Sequence, residues 1–289
     1  MKLLITLFFI AVCSWTTGQM PNDLKFDRNF VEAENQWVVV PNKTEATNKF
    51  KYGFLYFDES GGGYSLQEIN DFTVADGKFI KTPVTQKQLN IVRLGNSALK
   101  FSFLSQQRIA ELNLETTPAF LKNYIILKDE SAKKLMRASA INGLNRPDLA
   151  LPILKSLHAG NFNTKQLYFE LAFAYNALKN FNEAEKIIDE AETKGYLDEL
   201  LIKEKIYAYS HSNKLEEANK FLRSKISVFK SSLYKEESIA NMVVNYYRSK
   251  NFSKTKEWLD IYDNEFPGGG KYKTNIEKLK SDFEKEAVK

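Results

Sequence analysis

Residues 167–191 read LYFELAFAYNALKNFNEAEKIIDEA, and the fold of the C-terminal half follows from this stretch. Apolar and small residues recur at helical spacing on both sides of Asn180-Phe181-Asn182, which predicts two helices joined by a tight turn. The pattern returns over 202–225 and again over 239–262. Ala184 falls on Ala218 thirty-four positions later, Tyr175 on Tyr209, and Ile188 on Leu222.

With Ser131, Lys165, Glu199 and Glu236 each taken as position one, four rows align. Position eight is Ala138, Ala172, Ile206 and Val243, and position eleven is Ile141, Tyr175, Tyr209 and Tyr246. Position twenty is Ala150, Ala184, Ala218 and Thr255, and position twenty-four is Leu154, Ile188, Leu222 and Leu259. These spacings put apolar faces on two helices per row, with small residues where helices cross closely. Asn145-Arg146-Pro147, Asn180-Phe181-Asn182, Asn213-Lys214-Leu215 and Asn251-Phe252-Ser253 form the connecting turns. Their Asn and Ser residues are expected to tolerate turn geometry and cap the next helix, and Pro147, Phe181, Leu215 and Phe252 to staple it.

This arrangement resembles the tetratricopeptide repeat, whose period and Ala/aromatic pattern the rows follow over about 131–267. Tyr168, Leu171, Ala172, Tyr175, Ala184, Ile188 and Ala191 reproduce nearly the whole family signature. Ile206, Lys225 and Thr255 depart from its small residues, and Lys134 and Arg137 stand where it has apolar ones. Pro267 matches the terminal proline, and Tyr272 to Ala287 reads as a polar capping helix. The resemblance implies that the first helix of each pair lines a concave groove. It places Gln166, Phe169, Phe173 and Asn176 there, then Lys203, Tyr207, Ser210 and His211, then Tyr247 and Arg248. Rings beside Asn, Lys and Arg suit an extended peptide, although Phe169 and Phe173 also suit a core between repeats. The ordered Lys/Asn/Arg set by which some relatives clamp a terminal carboxylate is missing.

Ahead of the repeats, short β-prone runs alternate with turn signals. Gln36 to Val40, Phe50 to Phe57, Tyr64 to Leu66, Phe72 to Val74, Lys78 to Lys81, Asn90 to Leu94 and Ala98 to Leu104 predict a small antiparallel sheet of five to seven strands. Asp76-Gly77 marks a hairpin, and Gly61-Gly62-Gly63 and Gly95-Asn96 mark further turns. Trp37, Tyr52, Phe54, Tyr56 and Tyr64 read as a core face, with an aromatic binding face as the alternative. Residues 105–127 form a helical transition. The expected class is therefore α+β, with a β-rich domain over 19–127 and a helical repeat domain of about four pairs and a capping helix over 131–287.

Residues 1–18 read as a secretory signal peptide: Lys2, an apolar run from Leu3 to Val12, then small and polar residues to Gly18. Cleavage there would expose Gln19; a lipid on Cys13 is the competing reading, against which Val12 stands in place of the usual small residue. Cys13 is the only cysteine, so the mature chain would lack thiolate chemistry and disulfides. The formal net charge of +5 falls to +4 without Lys2, and signs alternate along the helices, as in Lys179 to Lys194. No basic stripe points to nucleic acid, and no later segment is apolar enough for a membrane span.

The only histidines, His158 and His211, fall near predicted helix ends without a second metal ligand at binding distance in sequence. Neither glycine triplet makes a phosphate loop: Gly268-Gly269-Gly270-Lys271 is followed by Tyr272 and preceded by a helix, so both triplets are expected as turns. Asn42-Lys43-Thr44 and Asn251-Phe252-Ser253 fit the glycosylation pattern. The expectation is an exported, periplasmic or secreted, non-enzymatic scaffold without cofactor. It would bind a protein or peptide partner in the groove of its repeats, in cell-envelope assembly. The alternative is a glycan- or ligand-binding module in the β domain with the repeats as spacer.

Overall fold

A computed structural model of the protein describes residues 23–41, 49–83, 90–95 and 98–287. The expected signal peptide with Cys13, the Asn42-Lys43-Thr44 sequon and Asn96 lie outside the described residues. The fold is α+β, and its contacts divide the chain between Ile126 and Leu127.

In the first unit β1 (Gln36–Val40), β2 (Lys49–Asp58), β3 (Gly63–Ala75), β4 (Lys78–Lys81), β5 (Asn90–Arg93) and β6 (Ser102–Phe103) form one antiparallel sheet. The order is β4-β3-β2-β1-β6, and β5 pairs with the first half of β3. Asp76 and Gly77 close the β3–β4 hairpin with φ of 51° and 72°, the left-handed pair that this tight turn demands. Tyr64 to Leu66 and Phe72 to Val74 prove to be one thirteen-residue strand. Pairing with β2 carries it through the polar residues between them, past a bulge at Tyr52/Gly53. Asn90 to Leu94 and Ala98 to Leu104 do not pair with each other. β5 joins β3, and the later run shrinks to Ser102–Phe103 beside β1, with Phe101 bridging to Arg28.

β5 and all of β4 but Phe79 are exposed, whereas along β2 from Tyr52 onward both faces of the sheet are covered. On one, Trp37, Tyr52, Phe54, Phe72 and Phe79 pack with Ile109 and Leu112 of α1 (Gln106–Glu111) and its C-terminus, and with Leu121 of a 3-10 turn (Ala119–Asn123). Trp37 Nε1 donates to the Glu115 carbonyl at 2.7 Å, so the indole is buried with its donor satisfied. On the other face Phe30 meets Tyr64 edge-on at 4.8 Å, and Phe57 meets the same ring at 5.1 Å. Arg108 fastens α1 to the hairpin: its guanidinium lies 4.1 Å over Phe79 and donates to Glu111 and to the Gly77 carbonyl.

In the second unit the repeat register becomes four helix pairs. They are α2 (Glu130–Gly143) with α3 (Pro147–Ala159), α4 (Lys165–Ala177) with α5 (Phe181–Thr193), α6 (Glu199–His211) with α7 (Leu215–Lys225), and α8 (Ser232–Arg248) with α9 (Phe252–Glu265). A last helix, α10 (Lys273–Ala287), packs on α8 and α9. Each first helix lies against its own second helix and against the next first helix. Ala150, Ala184, Ala218 and Thr255 are fully buried, as close crossing requires. Thr255 fits the column by folding its hydroxyl back onto the Asn251 carbonyl at 2.9 Å.

The two kinds of helix begin differently. First helices are capped by side chains: Asp129 accepts from Ser131 N, Thr164 from Leu167 N, Asp198 from Leu200 N and Ser231 from Tyr234 N. Second helices open on the shared apolar residue, and of the expected turn caps only Asn251 acts, accepting from Lys254 N at 3.1 Å; Asn180 makes no such bond. The left-handed residue of each turn lies one place earlier, at Asn145, Lys179, Asn213 and Lys250.

Polar contacts lock neighbouring pairs. Asn142 Nδ2 donates to the Glu170 carboxylate and carbonyl at 2.7 and 3.1 Å, and thirty-four residues on Asn176 does the same to Glu204 at 2.8 and 2.9 Å. Acids of α5 reach the following pair: Glu185 meets Lys214, Asp189 meets Lys205 and Glu192 meets Lys225. Three acids of the alternating stretch Lys179 to Lys194 thus reach across to the next repeat.

A carboxylate from each of the last two first helices grips the start of the next. Glu199 accepts from Lys230 N and Ser231 N, both at 2.8 Å. The equivalent Glu236 accepts from Lys271 N at 2.9 Å, Tyr272 N at 2.8 Å and the Tyr262 hydroxyl at 2.7 Å. This explains the second glycine triplet, since a Cβ on Gly270 would lie 2.2 Å from Glu236 Oε2.

Candidate functional site

The side chains expected to line a groove come from α4, α6 and α8, which run parallel and adjacent in that order. Their register is set by Asn176 on Glu204 and by Lys203 on Glu237, the latter at 3.4 Å. The structure divides the ten residues into three groups.

Some are committed to the fold. Asn176 is buried and its amide is spent on Glu204, so the groove contact expected of it is replaced by a bond between repeats. Phe169 is half-buried against the cluster of Tyr168, Ala172, Ile188, Ala191 and Leu201. Ser210 Oγ faces Met242 Sδ at 4.0 Å, where the preceding junctions have the Asn–Glu contact.

Others are engaged but accessible at an edge. Lys203 is half-buried, with Glu204 and Glu237 each at 3.4 Å. Burial pulls its ammonium down, but the two carboxylates outweigh that and hold it above the ordinary lysine value. The Tyr247 hydroxyl donates to Glu286 of α10 at 3.0 Å.

The remainder present themselves to solvent. Gln166, His211 and Arg248 are exposed, Tyr207 is 36% exposed and Phe173 is half-buried. Tyr207 and His211 stack one turn apart on α6, with ring centroids 4.1 Å apart and planes 25° apart. His211 Nδ1 lies 2.9 Å from the Tyr207 carbonyl, which leaves Nε2 uncommitted. Phe181, at the start of α5, lies 5.7 Å from His211 and 6.3 Å from Tyr207. The same ring walls a depression of about 420 Å3 lined by Lys179, Asn180, Asn182, Glu183 and Ser212. Phe181 and Lys179 were not among the expected groove residues, because Phe181 opens the second helix. Its recurrence at the staple position signalled packing, and only the fold brings it beside Tyr207.

The other candidate chemistry resolves into structure. His158 Nε2 lies 3.1 Å from Glu190, which also accepts the Tyr168 hydroxyl at 2.6 Å. Tyr168 and then His158 hold the Glu190 carboxyl below its ordinary range against its burial, while burial and then Glu190 push the Tyr168 phenol up. Among the described residues no group of three or more His, Cys, Asp or Glu side chains is placed to hold a metal ion. Trp37, Tyr52, Phe54, Tyr56 and Tyr64 are all buried, so the aromatic alternation of the sheet is core. No described helix is long and apolar enough to cross a membrane.

No protein-family model matches the chain, and no curated protein matches its sequence.

Proposed function

We propose that the protein is an exported, non-enzymatic scaffold with a tetratricopeptide-like array, which holds an extended segment of a protein partner along its first helices during cell-envelope assembly. The observation that carries the reading is the surface made by Phe181, Tyr207 and His211, whose rings pack on one another yet remain partly open to solvent, with Phe173 half-buried on the adjacent α4. Rigid rings supply contact area at little entropic cost, and helices fixed by the Asn–Glu contacts hold them in place. Gln166 at the start of α4 and Arg248 at the end of α8 are exposed and offer donors to a peptide backbone.

The test is cross-linked capture from an envelope extract by the protein and by its Phe173→Ala/Tyr207→Ala variant, with circular dichroism on both. A drop of at least about tenfold in the captured species at unchanged helicity supports the reading. Undiminished capture overturns it, and a collapse of the helical spectrum would show that the rings belong to the core.

A further inference from the structure

The charges on this face narrow the chemistry of the partner, an inference that rests on the groove reading above. At the expected groove positions of α4, α6 and α8 the ionisable side chains of charged residues are Lys203, His211, Glu237 and Arg248. Lys203 and Glu237 neutralise each other at 3.4 Å. Arg248 has no carboxylate partner among the described residues, and neither does Lys179, which follows the end of α4. Both are exposed. Glu183, the one acid lining the depression beside Phe181, is paired with Lys186 at 2.7 Å.

Since the three helices run parallel, Lys179 and Arg248 stand at the C-terminal ends of the outer two, α4 and α8, and the Phe181–Tyr207–His211 rings lie at the same end of α6 between them. Cations at helix C-termini complement the helix dipoles, which accounts for their being tolerated there. That role needs no rings among them and confers no preference on a bound chain. A basic segment laid there would bring like charges against Lys179 and Arg248 as water is excluded, and the carboxylates near them, Glu183 and Glu286, are already engaged by Lys186 and by the Tyr247 hydroxyl.

We infer that the partner segment is acidic: an extended peptide with a proline or aromatic ring on the Phe181–Tyr207–His211 platform and carboxylates flanking it, one toward Lys179 and one toward Arg248. The rings fix its position, and Lys179 and Arg248 select its charge and speed encounter at low ionic strength.

Fluorescence anisotropy with two labelled hexapeptides, Gly-Asp-Phe-Pro-Asp-Gly and Gly-Lys-Phe-Pro-Lys-Gly, tests this on the whole protein at low salt. The acidic peptide is expected to bind at least about tenfold more tightly, with affinity falling as salt is added. A Lys179→Asp/Arg248→Glu variant should invert the preference. Aspartate is chosen at 179 because the backbone there has φ of 61°, which Asp tolerates. Tyr207→Ala should weaken both peptides, and circular dichroism verifies that each variant is folded. Equal binding of the two peptides, binding of neither, or an acidic preference that survives charge reversal overturns the inference. The groove reading stands or falls separately, on whether Tyr207→Ala weakens whatever peptide binds.

Discussion

The sheet unit and the helical unit are both rich in aromatic residues, yet they place them in opposite ways. At the centre of the sheet, alternate residues of β2 point to opposite faces, both faces are covered from Tyr52 onward, and Tyr52, Phe54, Leu55, Tyr56 and Phe57 are all buried. In the helical unit a first helix has neighbours on only part of its circumference. Tyr168 and Tyr246 are buried between pairs while Tyr207 and Phe173, on the remaining arc, stay open. Aromatic content alone therefore says little about binding; the number of covered faces decides which rings can meet a partner.

The sharpest way to break this contrast is at Trp37. Trp37→Ala removes a buried ring that touches Tyr52 and Phe54 and leaves the Glu115 carbonyl without its donor. It should cost about 3–5 kcal/mol, read from the urea midpoint by near-ultraviolet circular dichroism. A loss below about 1 kcal/mol would mean that the sheet face is less tightly filled than its burial implies.

A smaller effect distinguishes two junctions within the helical unit. Asn176→Ala strips the buried Glu204 of its amide donor and should destabilise by about 1–3 kcal/mol, whereas Ser210→Ala removes only a long contact to sulfur and should stay within about 0.5 kcal/mol. Equal losses in urea titrations of the two variants would refute the view that the Asn–Glu lock ends at the second junction.

The smallest effect is one of pH. The Phe79 N–H, then Arg108 and Gln107, hold the Glu111 carboxyl down at about 2, against an ordinary 4.5. Because the folded value is the lower one, this carboxylate's contribution is fully present above pH 4.5 and is lost as pH falls toward 2. Solvent reaches the side chain, so the effect is screened. Glu111→Gln should flatten the decline of the urea midpoint between pH 5 and 2.5; identical declines in both proteins would exclude Glu111 as a source.

Local signals in the sequence located much of this. The recurrence of Ala150, Ala184 and Ala218 set the helix pairs, and Asp76-Gly77 set a hairpin, because each depends on residues near in the chain. Contacts made at long range were not legible. β3 reads as two runs because its polar middle is sustained by pairing with β2, and Gly270 reads as an ordinary turn because Glu236, the side chain it must admit, lies in another helix. For the candidate site, the positions on the first helices were readable from the register. That Asn176 is consumed internally and that Phe181 joins the surface required knowing which helices touch.

The grip of Glu199 and Glu236 on the following helix gives the array a direction. A three-residue 3-10 turn, Ile226–Val228, follows α7, yet Glu199 still meets the start of the next helix, so the grip spans this longer connection. The same grip forbids a clean stop after α9. A chain ending at Phe266 would leave the Glu236 carboxylate without its two backbone donors, in a place shaped around the helix that was cut away. α10 is thus an element to which the preceding repeat is already committed, and any shortening of the array has to carry that commitment along with it.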